Sequence, residues 1–305
     1  MKELAGRTAV ITGAASGFGL ELARIAAQRG MNVVMADVQA GALEAAVAEV
    51  GALGAAVLGF RLDVARAAEV EALGAATRGR FGVPHLVVNN AGVGAGGLIW
   101  EHSAKDWEWV LGVNLMGVAH GVRVFTPMML EAAAADAAYE GHIVNTASMA
   151  GLLNMPNMGV YNVSKHAVVA LSETLYQDLR LVTSQVGASV LCPYFVPTGI
   201  GQSQRNRPAD EGEGGAATPS QAMAQAMLAR AVGNGKVSAA QVAQMVFDAV
   251  AEGRFYIFSH PRALAPVQSR LEDILLQRNP SDPYAAKPEL REELRAGLRR
   301  PTDEC

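Results

Sequence analysis

The chain is short of cysteine, of aromatic residues and of charge. Its two cysteines among 305 residues are Cys192, inside an apolar run, and Cys305, the last residue. Thiols so placed argue against a disulfide framework or a four-ligand zinc site. They fit a reducing compartment, so a cytoplasmic location is expected. Only 18% of residues are charged and the net charge is −4, which leaves no basic footprint for nucleic acid. No apolar run approaches the roughly 18 residues of a membrane-span candidate, so no membrane association is expected. The opening "MKELAGRTAVITG" has no signal-peptide pattern. His120, His142 and His166 are scattered without ligand spacing, and no metal is expected.

What the chain has in quantity is small and apolar residues: half are hydrophobic and 32 are glycine. A chain of this length can bury roughly 75% of its unfolded surface without staples. Short β-rich runs alternate with Ala-rich helical stretches. The runs are 7–12, 32–37, 56–63, 85–90, 142–147, 188–193 and 255–259. Several are continuous Val, Ile and Leu, the pattern of strands covered on both faces and hence of a parallel sheet. Segments 17–30, 40–50, 66–79, 104–131 and 161–184 are long enough for crossover helices. The expected fold class is α/β, a doubly wound parallel sheet with helices on both faces.

Two regions break the alternation. Residues 201–220 are polar and rich in Gly and Pro, which predicts a mobile loop. A substrate lid is expected over 199–230. Residues 261–305 form a helical tail beyond a main domain at 1–260. In 266–277, Val267, Leu271, Ile274 and Leu275 have helical spacing and predict a packed helix. Leu290, Leu294 and Leu298, set among charges, fit either a solvated helix or a subunit contact.

"AVITGAASGFGLELARIAAQRG" (9–30) reads strand, glycine turn, helix. Gly13, Gly17 and Gly19 allow a sharp turn and a close backbone approach, and the helix start that follows favours an anion such as a phosphate. Ser16 and Phe18 complete the loop. Asp37 ends the second strand run, 18 residues after Gly19. A carboxylate there accepts hydrogen bonds from adenosine ribose hydroxyls and repels a 2′-phosphate. Neither Ser16 nor Val38 is basic, so NAD is expected over NADP.

Tyr161 and Lys165 stand four apart on an otherwise apolar helix, where i and i+4 side chains are neighbours. An adjacent ammonium is expected to lower the phenol pKa and make it a general acid or base for an alcohol/carbonyl couple. Ser148, 13 residues upstream of Tyr161 beyond a strand run, can hydrogen-bond a substrate oxygen. Asn89-Asn90-Ala91-Gly92 ends another strand with small residues that let a cofactor pass. Asn114 lies in an apolar helix and fits either a satisfied core amide or part of the site.

Together, T-G-x-x-x-G-x-G (Thr12 to Gly19), N-N-A-G (89–92), Asn114, Ser148 and Y-x-x-x-K (161–165) resemble the short-chain dehydrogenase/reductase family over roughly residues 5–260. The resemblance implies a seven-stranded Rossmann sheet. It implies Tyr161 as acid/base, Ser148 as substrate orienter, Lys165 as phenol tuner and ribose ligand, and Asn114 as holder of a relay water. It places Asp63 and Val64 near the adenine, and Asn90, Ala91, Gly92, Pro193, Val196 and Thr198 along the cofactor. It also implies a homodimer or homotetramer. "PYFVPT" departs from the family's P-G-x-V-x-T, with Tyr194 in place of glycine; Tyr194 and Phe195 fit either the substrate pocket or the core.

Gly94, Met149, Asn154, Met155, Tyr194 and Phe195 are the candidate pocket residues. Their composition suggests a hydrophobic secondary alcohol and its ketone. Two alternatives stay open: an NAD-binding epimerase or dehydratase, and a non-catalytic dinucleotide-binding regulator.

Overall fold

The computed structural model describes residues 1, 3–208 and 217–298. Seven strands form one sheet: β1 (Thr8–Thr12), β2 (Asn32–Asp37), β3 (Val57–Arg61), β4 (Leu86–Asn89), β5 (Gly141–Thr146), β6 (Val186–Cys192) and β7 (Tyr256–Phe258). All neighbours are parallel, in the order β3-β2-β1-β4-β5-β6-β7. The order reverses between β1 and β4, where the crossovers part to opposite faces. A crevice therefore opens at the C-terminal ends of these two strands.

The helices cover both faces. On one face lie α1 (Gly17–Gln28), α2 (Ala40–Gly51) and α8 (Ala239–Glu252). On the other lie α3 (Ala67–Phe81), α5 (Gly117–Ala135) and α6 (Gly159–Val182). Strand residues alternate between the two cores. Ala9 and Ile11 of β1 face α1 and α8, while Val10 faces α3 and α5. Each fully buried Val or Ile on such a surface contributes about 1.5–3 kcal/mol relative to exposure. This two-sided burial is why the strands read as continuous apolar runs.

The segment 104–131, expected as a crossover helix, is helical throughout, with one π-turn inside it. The helix α4 (Ala104–Leu111) opens on a capping box between Ser103 and Asp106. A π-turn at Gly112–Met116 then leads into α5, with the Gly117 N–H reaching the Gly112 carbonyl five residues back. Residues 199–230 are not the loop expected. Gly199–Asn206 form a 3-10 helix, and α7 (Pro219–Gly233) starts on a Thr218–Gln221 capping box with Pro219 in its first turn. These signals fix a helix start where Gly and Pro content alone suggests a loop. The stretch 209–216, also part of the expected loop, lies outside the described residues.

The tail contains α9 (Ala265–Leu275) and α10 (Pro288–Leu298). In α9, Val267 packs on a core cluster with Val168 and Val190, whereas Leu271, Ile274 and Leu275 are exposed. The expected packed face is thus only partly covered. In α10, Leu294 is buried and the helix lies against α7, so it is not simply solvated. Among the described residues no helix is long and apolar enough to cross a membrane.

Candidate active site

The glycine loop is shaped by steric necessity. Gly13 and Gly17 have φ of +64° and +55°, in the left-handed region that glycine enters at least cost. Gly19 has a different reason: a Cβ there would lie 2.1 Å from the Gly13 carbonyl oxygen. A Cβ on Gly13 would sit 2.9 Å from Ala91 Cα, so the loop and the N-N-A-G segment are in close contact. Thr12 joins them. Its Oγ1 accepts from the Asn90 N–H at 2.9 Å and the Ala91 N–H at 3.1 Å, and Asn90 Nδ2 donates to the Thr12 carbonyl at 3.0 Å. Thr12 was legible in the sequence only as part of a motif; its bridging role follows from the β1–β4 pairing.

Asp37, at the end of β2, accepts from the Ala15 N–H at 3.0 Å through Oδ2 and from the Gln39 N–H at 3.0 Å through Oδ1. Its carboxylate is therefore fixed beside the glycine loop. Asp63 is oriented similarly, accepting from the Ala65 N–H at 3.0 Å. Val64 fills the space above Gly117, where a Cβ would come within 2.7 Å of it.

A cavity of about 990 Å³ runs from this cradle across the C-terminal ends of the strands. Gly13, Ser16, Gly17, Phe18, Asp37, Asp63 and Val64 line one end, and Asn90, Ala91, Gly92, Pro193, Val196 and Thr198 continue the wall. Ser148, Tyr161 and Lys165 lie along it, with Gly94, Met149, Met155, Tyr194 and Phe195 toward the other side. Gly19, Asn114 and Asn154 do not line it. Gly19 supports the loop from beneath. Asn114 is fully buried: its Oδ1 accepts from the Val93 N–H at 2.8 Å, and its Nδ2 donates to the Val93 carbonyl and to Ser164 Oγ, both at 3.0 Å.

The site's electrostatics differ from the expected tuning of phenol by amine. Lys165 donates to the Thr146 carbonyl at 2.9 Å, and burial pushes its ammonium down to about 8. Burial raises the Tyr161 pKa, and the neighbouring Ser148 hydroxyl opposes that rise. Desolvation outweighs the neighbouring groups here, because both side chains start from the buried end of one helix. The Cys192 thiol, close by, is pushed up to about 12 by burial, which keeps it protonated and unreactive.

Three contributions to the cavity are not named singly in the sequence analysis, although several fall within the lid expected over 199–230. Gln39 Nε2 donates to the Arg205 carbonyl at 3.0 Å and Asn206 Oδ1 at 2.8 Å, tying the 3-10 segment to the β2 end. Ser203 Oγ accepts from the Gly94 N–H at 2.8 Å. From α7 and the tail come Met227, Leu228, Tyr284, Leu290 and Glu293. The apolar spacing within "SQAMAQAMLARAV" (220–232) is the signal for the α7 residues; the tail residues carry none.

The parallel sheet with its crevice at the switch point is a Rossmann-type fold, the class of dinucleotide-binding proteins. Residues 7–209 match the family model described as short chain dehydrogenase, and the chain belongs to that family of oxidoreductases, whose structures hold NAD or NADP. A CLA biosynthesis dehydrogenase/reductase of Lactiplantibacillus plantarum is 32% identical over 92% of this chain and 97% of its own. A C alpha-dehydrogenase of Sphingobium sp. is 33% identical over 94% and 92%. The crystal structure of a short chain dehydrogenase/reductase from Burkholderia phymatum in complex with NAD superposes with a TM-score of 0.90 at 55% identity, covering 93% of this chain and 99% of that one.

Proposed function

We propose that the protein interconverts a hydrophobic secondary alcohol and its ketone with NAD as hydride partner. The observation that carries this reading is that Tyr161, Ser148 and Lys165 line one cavity continuous with the glycine cradle. The residues present suit a dinucleotide. A Cβ would fill the loop at Gly13 and Gly19, the start of α1 favours a phosphate, and the Asp37 carboxylate stands where ribose hydroxyls need an acceptor. Asp37 and the lack of a basic residue at Ser16 or Val38 favour NAD over NADP; the similar Burkholderia protein holds NAD.

When bound, the dinucleotide supplies the hydride acceptor or donor. Ser148 orients the substrate oxygen, and Tyr161 takes the hydroxyl proton in oxidation or returns it in reduction. Lys165 reaches a ribose hydroxyl and the phenol with its donors. Asn114 acts as a positioning residue, bracing Val93 beneath the cofactor channel and Ser164 on the same helix as Tyr161. Met149, Met155, Tyr194 and Phe195 give the substrate end its apolar character. Assembly as a homodimer or homotetramer belongs to the same reading, with the exposed Met116 and Val163 on helices that would meet.

The test is a panel of hydrophobic secondary alcohols with NAD+, followed by NADH formation. Turnover of several members is the expected result. No turnover across the panel, with small acidic substrates oxidised instead, refutes the substrate class.

A further inference from the structure

The tail reaches the cavity through a strap with defined anchors. After α9 the chain turns back, and the Ser281 N–H donates to Asp273 Oδ2 at 2.9 Å. Asp273 also pairs with Arg278 at 3.0 Å. One turn further, Asp282 accepts from the Tyr284 N–H at 2.9 Å, and its other oxygen takes Arg291 of α10 at 2.6 Å. Leu294 is buried on the side of α10 that meets α7. Arg230 of α7 and Glu293 of α10, 3.8 Å apart, add an exposed pair across the same junction.

Held this way, the strap turns Tyr284 inward. It is 8% exposed, while all its neighbours from 281 to 289 are exposed. Tyr284 and Leu290 both line the cavity, as does Leu228 of α7. Tyr284 and Tyr194 line the same cavity, and Tyr194 is in ring contact with Phe195 at 4.6 Å. The aromatic at 194 that departs from the family's glycine therefore has a counterpart in the tail.

We propose that Tyr284 and Leu290 are specificity-determining residues. They form the far wall of the substrate end and set the longest apolar substituent the carbinol carbon can carry. This rests on the alcohol/ketone reading of the same site. Neither residue touches the hydride or proton path, so their effect falls on substrate discrimination and leaves the chemistry alone. A pocket wall of this kind discriminates about 10–200-fold per methylene.

The test compares wild type, Tyr284→Ala, Tyr284→Phe and Leu290→Ala on benzylic secondary alcohols whose alkyl arm grows one carbon at a time. Leu290 is half-buried, so its truncation leaves the fold intact even if Tyr284→Ala melts early. The ratio of kcat/KM for long over short arms is expected to rise at least tenfold in both Ala variants and to stay at the wild-type value in Tyr284→Phe. The Kd for NAD+ is expected to stay within twofold. Wild-type turnover with an unchanged ratio in both Ala variants overturns the proposal and leaves the alcohol/ketone reading standing. Should wild type turn over no member, calorimetric Kd values on the NAD+-loaded proteins read the same ratio. A shift there sustains the wall and refutes only the chemistry; an unchanged ratio, or no binding by any member, overturns the wall as well.

Discussion

Lys165 spends a hydrogen bond on the carbonyl of Thr146 at the end of β5, and its Nζ stands 5.8 Å from the centre of the Tyr161 ring. The amine is thus held by the sheet and set beside the phenol, with Gly92 as the other near neighbour: a Cβ at 92 would lie 3.5 Å from Nζ. Small residues at 91–92 keep the channel open in front of it. Burial dominates the pair and disfavours charge on both members.

Replacing Tyr161 with Phe removes the hydroxyl proposed to carry the proton and keeps the ring. Turnover is expected to fall by roughly 10²–10⁴-fold, with NAD+ affinity, read by fluorescence titration, changed only a few-fold. Redox turnover surviving at the wild-type rate would remove Tyr161 from the reaction.

Lys165→Met is expected to change how stability depends on pH. The lysine titrates near 8 in the folded protein, below its ordinary 10.5. Between those values the unfolded chain holds a proton that the folded chain has released, so stability climbs with pH across that interval. Below about 8 the folded state bears the full cost of the buried charge. Melting curves without cofactor, taken from pH 7 to 10, should show wild type gaining on the variant as pH rises. A gap that stays constant contradicts the burial argument.

Asp37→Ala removes the carboxylate proposed to exclude a 2′-phosphate. The expected outcome is a rise in KM for NAD and a fall in KM for NADP, moving their ratio by at least tenfold toward NADP. A wild type that already prefers NADP would refute the assignment of Asp37.

Asn114→Ala strands the buried N–H and carbonyl of Val93, while the Ser164 hydroxyl keeps its bond to the Tyr161 carbonyl. Each buried group so stranded costs about 1–3 kcal/mol, which urea denaturation reads directly. Stability unchanged within experimental error would mean that the amide is not holding Val93.

The sheet was legible because its strands are covered on both faces, and the cradle because Gly13, Gly17 and Gly19 answer to backbone geometry that few other residues satisfy. The strand candidates at 56–63 and 255–259 trim to Val57–Arg61 and Tyr256–Phe258, the usual uncertainty at element ends. Spacing on one helix showed that Tyr161 and Lys165 are neighbours, yet their charge state depends on Thr146 and on burial from other elements, which spacing does not encode. Residues 199–230 misled because Gly and Pro in 201–220 outweighed the capping signal at Thr218. Tyr284 was hidden for a simpler reason. A single inward side chain among exposed neighbours has no periodicity to detect.

The π-turn at Gly112–Met116 has a bearing on how this family member tolerates insertion and deletion. A π-turn accommodates one residue beyond the α-helical repeat, and each α-helical residue advances the chain by about 100°. Excising a single residue here would replace the π-turn with the regular α-helical repeat. Asn114 would then swing away from Val93, although no atom of any other side chain had been altered. The number of peptide units between Trp109 and Phe125 is thus as strict a requirement as their chemistry, and a swap of this segment between homologues succeeds only when the count is kept.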